Sequence, residues 1–190
     1  MMKRLGIVID QERCIGCEAC SVACRIENET PNFWINVETQ GGTQKDTPKG
    51  TFPDLSISFL PKLCNHCENP PCVEACPEEA LTKLDNGIVF LDQGECTGCQ
   101  ACLTACPYEI IVFNDKSNLA EKCNLCSHRL DEDLEPFCVI CCEGQAIHFG
   151  DLNDPNSKVA HMISERKTFQ LKPEVSPSVY YCRPKPKRRL

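Results

Sequence analysis

Residues 96–107 read CTGCQACLTACP and space four cysteines as C-x2-C-x2-C-x3-C. A tetrahedral zinc site commonly takes its four ligands from two separated C-x2-C pairs, so the third cysteine of this run is surplus to zinc. Three thiolates on one tight loop can instead bind three irons of a [4Fe–4S] cluster, while the fourth, beyond a short helical turn, binds the other cluster of a pair. The stretch therefore predicts half of a two-cluster unit.

The same arrangement occurs four times in the chain. Residues 14–24, CIGCEACSVAC, repeat the spacing; residues 64–76, CNHCENPPCVEAC, widen its second interval to four residues, and residues 123–142 widen it to eleven. Four motifs of four cysteines predict four [4Fe–4S] clusters. The sixteen predicted metal ligands are Cys14, Cys17, Cys20, Cys24, Cys64, Cys67, Cys72, Cys76, Cys96, Cys99, Cys102, Cys106, Cys123, Cys126, Cys138 and Cys142.

Two cysteines lie outside this count, Cys141 and Cys182. Cys141 adjoins Cys142 and could replace it, but the three-residue interval from Cys138 favours Cys142, because the other three motifs end in the same interval. Cys141 and Cys182 are expected to be buried small apolar side chains or incidental thiols.

Several polar residues adjoin predicted ligands. His66 and His128 are expected to form hydrogen bonds near a cluster rather than to bind iron, since the cysteines already complete the ligand count. Lys62, Lys122 and Arg25 have two open interpretations: they raise the potential of a nearby cluster, or they are solvated surface groups.

Composition excludes several classes of protein. The chain has 190 residues, 18 of them cysteine, and a formal net charge of −7, which argues against nucleic-acid binding. A secreted disulfide scaffold is not favoured, because the first apolar stretch is interrupted by Gly6 and stopped at Asp10. No run is long enough for a transmembrane helix. Clusters held by four cysteines have no open coordination site, and no phosphate-binding loop or catalytic triad is evident, so electron transfer is expected.

The order of the motifs predicts an α+β fold of two double-cluster, bacterial-ferredoxin-like units with short strands, short helices and long loops. The first and fourth motifs form an outer unit, residues 1–26 and 120–153, and the second and third form an inner unit, residues 55–119. Residues 27–54 contain Gly and Pro throughout and are expected to be a loop insertion. Residues 154–190 are expected to be a C-terminal helix and an extended basic tail that docks on a partner.

Local patterns predict the short elements. We expect strands over 5–10, 55–59, 81–84, 88–91 and 146–149, helical turns over 72–76, 102–106 and 137–142, and a helix over 158–167. Residues 183–190 hold five Lys or Arg. They are either a docking segment for an acidic partner or a solvated tail.

The motifs and their flanks resemble the four-cluster iron–sulfur subunits of the molybdopterin DMSO reductase superfamily. The resemblance covers nearly the whole chain and is closest to subunits of polysulfide, thiosulfate, arsenate and DMSO reductases and of related transhydroxylases. It is carried by CIGCEACSVAC followed by Glu27-Asn28, FLPKLCNHCENPPC at 59–72, KCNLCSHR at 122–129, FGDLNDP at 149–155 and PSVYY at 177–181.

This resemblance implies cross-paired ligation. It assigns Cys142 to the cluster of Cys14, Cys17 and Cys20, and Cys24 to that of Cys123, Cys126 and Cys138; it assigns Cys106 to the cluster of Cys64, Cys67 and Cys72, and Cys76 to that of Cys96, Cys99 and Cys102. The clusters would form a line, with the Cys14 cluster nearest a catalytic subunit and the Cys96 cluster nearest a quinone or membrane partner. Because Cys99 is present, the third motif is expected to hold a complete cubane.

The implied function is electron transfer between a large molybdenum or tungsten bis-pterin catalytic subunit and a membrane quinone-reactive subunit or a soluble carrier. Only 16 residues separate Cys106 from Cys123, where many relatives carry a longer insertion that often contacts the membrane anchor, so a soluble two-subunit enzyme remains open. The alternatives are a freestanding polyferredoxin and the small subunit of a tungsten aldehyde oxidoreductase or hydrogenase. The expected location is the cytoplasm, or export in folded form as a passenger of the catalytic subunit.

Overall fold

Short helices and strands alternate with cysteine-rich loops in the computed structural model, which describes residues 2–44 and 46–184. The helices are α1 (Ala19–Glu27), α2 (Pro71–Glu74), α3 (Ala101–Ala105), α4 (Ser127–Leu130), α5 (Phe137–Ile140) and α6 (Lys158–Glu165). The strands are β1 (Leu5–Asp10), β2 (Asn36–Gln40), β3 (Ser58–Lys62), β4 (Leu81–Lys83), β5 (Val89–Leu91), β6 (Val112–Asn114), β7 (Leu119–Glu121), β8 (Ile147–Asp151), β9 (Thr168–Phe169) and β10 (Val179–Cys182). This mixture of short elements confirms the predicted α+β class.

The central sheet has four strands in the order β8-β1-β10-β9 and joins the N-terminal and C-terminal segments of the described chain. β1 pairs antiparallel with β8 and parallel with β10, and all six of its residues are buried. A strand buried on both faces needs a continuous apolar run, which LGIV at the start of β1 provides. The strands predicted over 5–10 and 146–149 are therefore confirmed as neighbours in one sheet.

The C-terminal segment completes this sheet. Ser157 is the N-cap residue of helix α6, and its hydroxyl accepts a hydrogen bond from the Ala160 N–H at 3.1 Å. The helix ends two residues before the predicted limit of 167. The fully buried Val159 of this helix packs against Val8 and Cys182. Beyond α6 we predicted an extended chain. The structure shows in addition that β10 in this segment is an interior strand of the sheet. Residues 185–190 of the predicted basic tail lie outside the described residues.

The segment predicted as a loop insertion contains a strand. β2 pairs antiparallel with β3, with Asn36 opposite Lys62 and Gln40 opposite Ser58. This pairing moves the strand predicted over 55–59 three residues towards the C-terminus. Proline is rare in the middle of a sheet because it has no N–H to donate. Pro61 is tolerated in β3 because both strands of a two-stranded sheet are edge strands.

Two hairpins frame the third motif. The hairpin of β4 and β5 matches its prediction, whereas that of β6 and β7 was missed. The sequence signal for the second was present, since turn-forming residues 114–118 lie between two apolar pairs. The predicted helical turns occur as α2, α3 and α5, each within two residues of its expected limits. Among the described residues, no helix is long and apolar enough to cross a membrane.

Candidate iron–sulfur cluster sites

The four cysteine motifs share one backbone turn. The residue before the second cysteine has a left-handed conformation in every motif, with φ of 71° at Gly16, 43° at His66, 74° at Gly98 and 56° at Leu125. Glycine is required at two of these turns, because a Cβ atom would lie 2.5 Å from the Phe59 ring at Gly16 and 2.2 Å from the Asn118 carbonyl oxygen at Gly98. The loops therefore present their cysteines in similar ways although their sequences differ.

Four thiols of the outer unit surround one cavity. We call Cys14, Cys17, Cys20 and Cys142 the Cys14 set, because all four line the same enclosed space. Burial, followed by the charges of Cys14, Cys141 and Cys142, raises the pKa of Cys20 to about 12, although a hydrogen bond with Ser21 acts in the opposite direction. The Ala146 N–H donates to Cys142 Sγ at 3.2 Å, a type of contact that stabilises a thiolate ligand.

A second cavity lies beside the two hairpins. It is lined by Cys76, Cys96, Cys99 and Cys102, the Cys96 set, together with apolar side chains of β4, β5 and β7. Burial raises the pKa of Cys102 to about 11, and the thiolates of the other three members act in the same direction. Cys99 is exposed, so this set reaches the protein surface.

The remaining eight thiols are all buried and form two further sets. In the Cys64 set, burial raises the pKa of Cys72 to about 12, with contributions from Cys64, Cys67 and Cys106. The Cys123 set consists of Cys24, Cys123, Cys126 and Cys138. In this set, burial raises the pKa of Cys138 well above its ordinary value, and the other three thiolates add to this effect.

Helix α1 carries ligands of two sets. Cys20 and Cys24 lie on α1, which packs against α5 with Cys138, while α2 packs against α3. About one helical turn separates Cys20 from Cys24, and they belong to different sets. Two of the four predicted ligand sets thus line one cavity each, and charge interactions at Cys72 and Cys138 indicate that the members of the other two sets lie near one another.

The donor chemistry of these groups fits iron–sulfur clusters. Four soft thiolates per group match the ligands that a [4Fe–4S] cluster takes. Among the described residues, no three Cys, His, Asp or Glu side chains converge on a point suited to a single metal ion. The thiols of the Cys14 and Cys96 sets instead line a space, as the corners of a cubane require. Each cluster would also offset the repulsion between its buried thiolates.

Exposure separates the sets into two that reach the surface and two interior sets. Cys17 and Cys99 are the exposed members of the Cys14 and Cys96 sets, whereas no member of the other two sets is exposed. The two interior sets interact, because the negative charge of Cys64 acts to raise the pKa of Cys123.

The polar residues near the ligands differ in their surroundings. Lys62 is partly exposed and pairs with Glu38 at 2.9 Å, and Arg25 is exposed above the Phe33 ring. His128, two residues after the predicted ligand Cys126, forms a hydrogen bond with the Glu27 carboxylate at 2.9 Å. Lys122 differs from all of these groups in being buried.

The two extra cysteines have different environments. Cys182 is fully buried and packs against apolar side chains, in agreement with the expectation for it. Cys141 is only partly buried, and its thiol donates to the Ala19 carbonyl oxygen at 3.7 Å. The cavity of the Cys14 set is lined by Cys142 and not by Cys141.

One buried polar cluster was missed by sequence reasoning. The Glu121 carboxylate accepts hydrogen bonds from Thr30 at 2.5 Å, Asn32 at 3.1 Å and Trp34 at 3.2 Å through one oxygen, and from Asn114 at 2.6 Å through the other. It fastens the start of the insertion to β7, next to the fourth motif. No local signal could have revealed it, because three of its partners lie about ninety residues away.

Comparison with known proteins gives consistent matches. Two models described as "4Fe-4S dicluster domain" match residues 55–152 and residues 13–80. The chain is 36% identical to the arsenate respiratory reductase iron–sulfur subunit ArrB of Shewanella sp., over 95% of this chain and 96% of the relative. It is 41% identical to a tetrathionate reductase subunit of Salmonella typhimurium (94% and 72% covered) and 38% identical to a polysulfide reductase chain of Wolinella succinogenes (90% and 89% covered).

Proposed function

This protein belongs to the family of four-cluster iron–sulfur electron-transfer subunits of the molybdopterin DMSO reductase superfamily, and from that membership we propose how it works. It carries electrons between a large molybdenum or tungsten bis-pterin catalytic subunit and a second redox partner. The freestanding polyferredoxin and the aldehyde oxidoreductase or hydrogenase subunit are not favoured, since the three relatives described above are subunits or chains of reductases.

Each of the four cysteine sets holds one [4Fe–4S] cluster in this proposal. The observation that supports it is that two cavities are each lined by three cysteines of one motif and one of another: Cys14, Cys17 and Cys20 with Cys142, and Cys96, Cys99 and Cys102 with Cys76. When bound, the clusters supply one-electron transfer without an open coordination site for substrate. The protein provides the thiolates, excludes water from the interior sets and supplies N–H donors such as that of Ala146.

The two exposed sets are the proposed entry and exit points. The Cys14 set faces the catalytic subunit, and the Cys96 set faces the second partner, either a quinone-reactive membrane subunit or a soluble carrier. Exposed apolar side chains on and before α1 support the first assignment: Ile15 is 62% exposed, Val22 50% and Ile26 67%. Such a group of exposed apolar residues is typical of a protein interface.

The outer and inner units are proposed as two domains with the limits predicted above. The packing of α1 on α5 and of α2 on α3 supports this division, since each pair joins two motifs of one unit. The basic tail is proposed to dock on a partner. Within its described part, the Arg183 guanidinium lies 4.9 Å from the centre of the Phe169 ring.

Anaerobic native purification of the protein with metal analysis tests the function. About sixteen iron per chain, with molybdenum or tungsten in a large co-purifying subunit, is expected. Iron in a lone 21.3 kDa protein would overturn the subunit assignment. Purification from separated cytoplasmic and exported fractions distinguishes a cytoplasmic protein from one exported as a folded passenger.

A further inference from the structure

A lysine lies buried between the two interior cysteine sets. The side chain of Lys122 belongs to a residue that is only 3% exposed. Its Nζ donates to the carbonyl oxygens of Val89 and Cys123, the latter at 2.8 Å. Within the described part of the chain, no carboxylate forms an ion pair with it. Burying an ammonium group without an anionic partner is costly, so a nearby anion is expected.

Hydrogen bonds place this lysine next to both interior sets. Its Nζ donates to the main chain of Cys123, a member of the Cys123 set. It also donates to Val89, whose N–H donates to His66, the residue before Cys67 of the Cys64 set. In agreement with these contacts, the positive charge of Lys122 acts to lower the pKa of Cys72 and of Cys123, against the larger effect of burial.

The peptide group of Val89 positions this lysine. Its carbonyl accepts from Lys122 Nζ, and its N–H donates to His66 Nδ1 at 3.1 Å. His66 is itself 2% exposed and stands between two cysteines of the second motif. His66 thus fixes the peptide group of Val89, and that peptide group in turn holds the ammonium group of Lys122.

The other ring nitrogen of His66, Nε2, has no protein group to which it can donate a hydrogen bond among the described residues. Because Nδ1 accepts a hydrogen bond, the proton of the neutral ring is on Nε2. That atom is buried and has no hydrogen-bond partner among the described residues. A buried donor without a partner is rare in proteins, and the adjoining thiolate set is the site where an acceptor would be bound.

On the basis of the proposed function, we propose that Lys122 is a shared counter-charge for the two interior clusters and raises the reduction potentials of both. Each reduction adds one negative charge to a cluster, and a fixed positive charge in a buried, low-dielectric site favours the reduced form. Because the same ammonium group serves both sets, its removal shifts two potentials together. His66 acts as a positioning residue through Val89.

Redox titration of the purified complex, followed by electron paramagnetic resonance, tests this role with Lys122→Met, which keeps the length of the side chain and removes its charge. We expect two of the four midpoint potentials to fall. For each of these two clusters the equilibrium constant for reduction should become about tenfold lower, which is a fall of about 59 mV for a one-electron couple. Lys122→Arg should retain both potentials. The matched control is Lys62→Met, which removes a partly exposed lysine beside the second motif and should shift none.

Unchanged potentials in Lys122→Met with full iron content would overturn the proposal, as would a shift in only one cluster. If Lys122→Met loses iron, Lys122→Gln takes its place, because its amide can still donate to the two carbonyl oxygens. Loss of iron from both neutral variants would assign the lysine a purely structural role. Failure of the proposed function is distinguishable, since it would appear as missing clusters or a missing partner in the unmodified complex.

Discussion

The hydroxyl of Tyr181 donates a hydrogen bond to the carbonyl oxygen of Pro61 at 3.0 Å, across a separation of 120 residues. Tyr181 lies on β10 and is fully buried, and its ring stacks on Phe169 with 5.4 Å between the centres. Pro61 lies on β3, immediately before the second cysteine motif. The C-terminal strand therefore helps to position a cluster-binding loop in addition to completing the sheet.

Tyr181→Phe should destabilise the protein by about 0.5–1.5 kcal/mol, because it removes a buried hydrogen bond to the Pro61 carbonyl. The measurement is anaerobic thermal unfolding of the cluster-loaded protein. Tyr180→Phe is the matched control on the same strand, since its hydroxyl forms no hydrogen bond with the residues that the structure describes. Equal losses in the two variants would contradict the role given to this bond.

Glu121→Gln should weaken the attachment of the insertion to β7. Burial raises the pKa of Glu121, but hydrogen bonds from Thr30, Asn114, Asn32 and Trp34 outweigh it, so the pKa lies below its ordinary value of 4.5. A lowered pKa contributes stability that is fully present above pH 4.5 and is lost as the pH falls towards the folded-state pKa. We expect Glu121→Gln to cost about 1–3 kcal/mol at neutral pH.

This cost should shrink as the pH is lowered below 4.5. Thermal unfolding of the original protein and the variant across that range measures it, with the exposed Glu132→Gln as the control. A cost that stays constant with pH would show that the charge of Glu121 is not involved.

Cys142→Ser and Cys141→Ser should have opposite outcomes. Cys142 lines the cavity of the Cys14 set, whereas the Cys141 thiol is directed to the Ala19 carbonyl. Cys142→Ser is therefore expected to lose or convert one cluster, while Cys141→Ser keeps the full iron content. Iron analysis and electron paramagnetic resonance of both variants decide this, and the reverse pattern would reassign the ligand.

Gly98→Ala should disrupt the Cys96 set. Gly98 has a φ of 74°, and an added Cβ would lie 2.2 Å from the main-chain oxygen of Asn118. Either the cysteine loop or the turn between β6 and β7 must move, so loss of about four iron per chain is expected. Gly94→Ala is the control, because the nearest atom is a side-chain oxygen of Asp92 at 3.2 Å. Retention of all iron in Gly98→Ala would show that the loop tolerates the change.

Ile26→Asp should lower the affinity for the catalytic subunit about tenfold or more, because it places a charge on an apolar surface. Ile26 and Val22 lie four residues apart on one face of α1, the helix that also carries Cys20 of the Cys14 set, and both are exposed. A carboxylate in such an interface loses its hydration without gaining a partner. Phe52→Asp, at a side chain that is 88% exposed in the insertion, should leave binding unchanged. Co-elution and affinity measurements on the reconstituted complex compare the two, and equal binding would place the interface elsewhere.

Sequence patterns predicted those elements that form through residues close together in the sequence. The strand at Leu5–Asp10 and the first hairpin follow from apolar runs and turn residues. The strand at 36–40 was not predictable, because it is polar and exists through its pairing with β3. The Glu121 cluster escaped prediction for the same reason, since its partners are distant in sequence.

The amino-acid sequence alone was sufficient to predict the type and number of the proposed ligands, because cysteine spacing within a loop is a local property of the backbone. Which thiols share a cavity depends on tertiary packing, since the central sheet and the α1–α5 contact bring Cys142 to the first motif. Packing also selects the buried lysine: Lys62 and Lys122 both precede a motif, yet only Lys122 lies beneath the β4–β5 hairpin, where it bonds to Val89. Burial and charge environment depend on distant segments that pack together, and the spacing of residues along the chain does not contain that information.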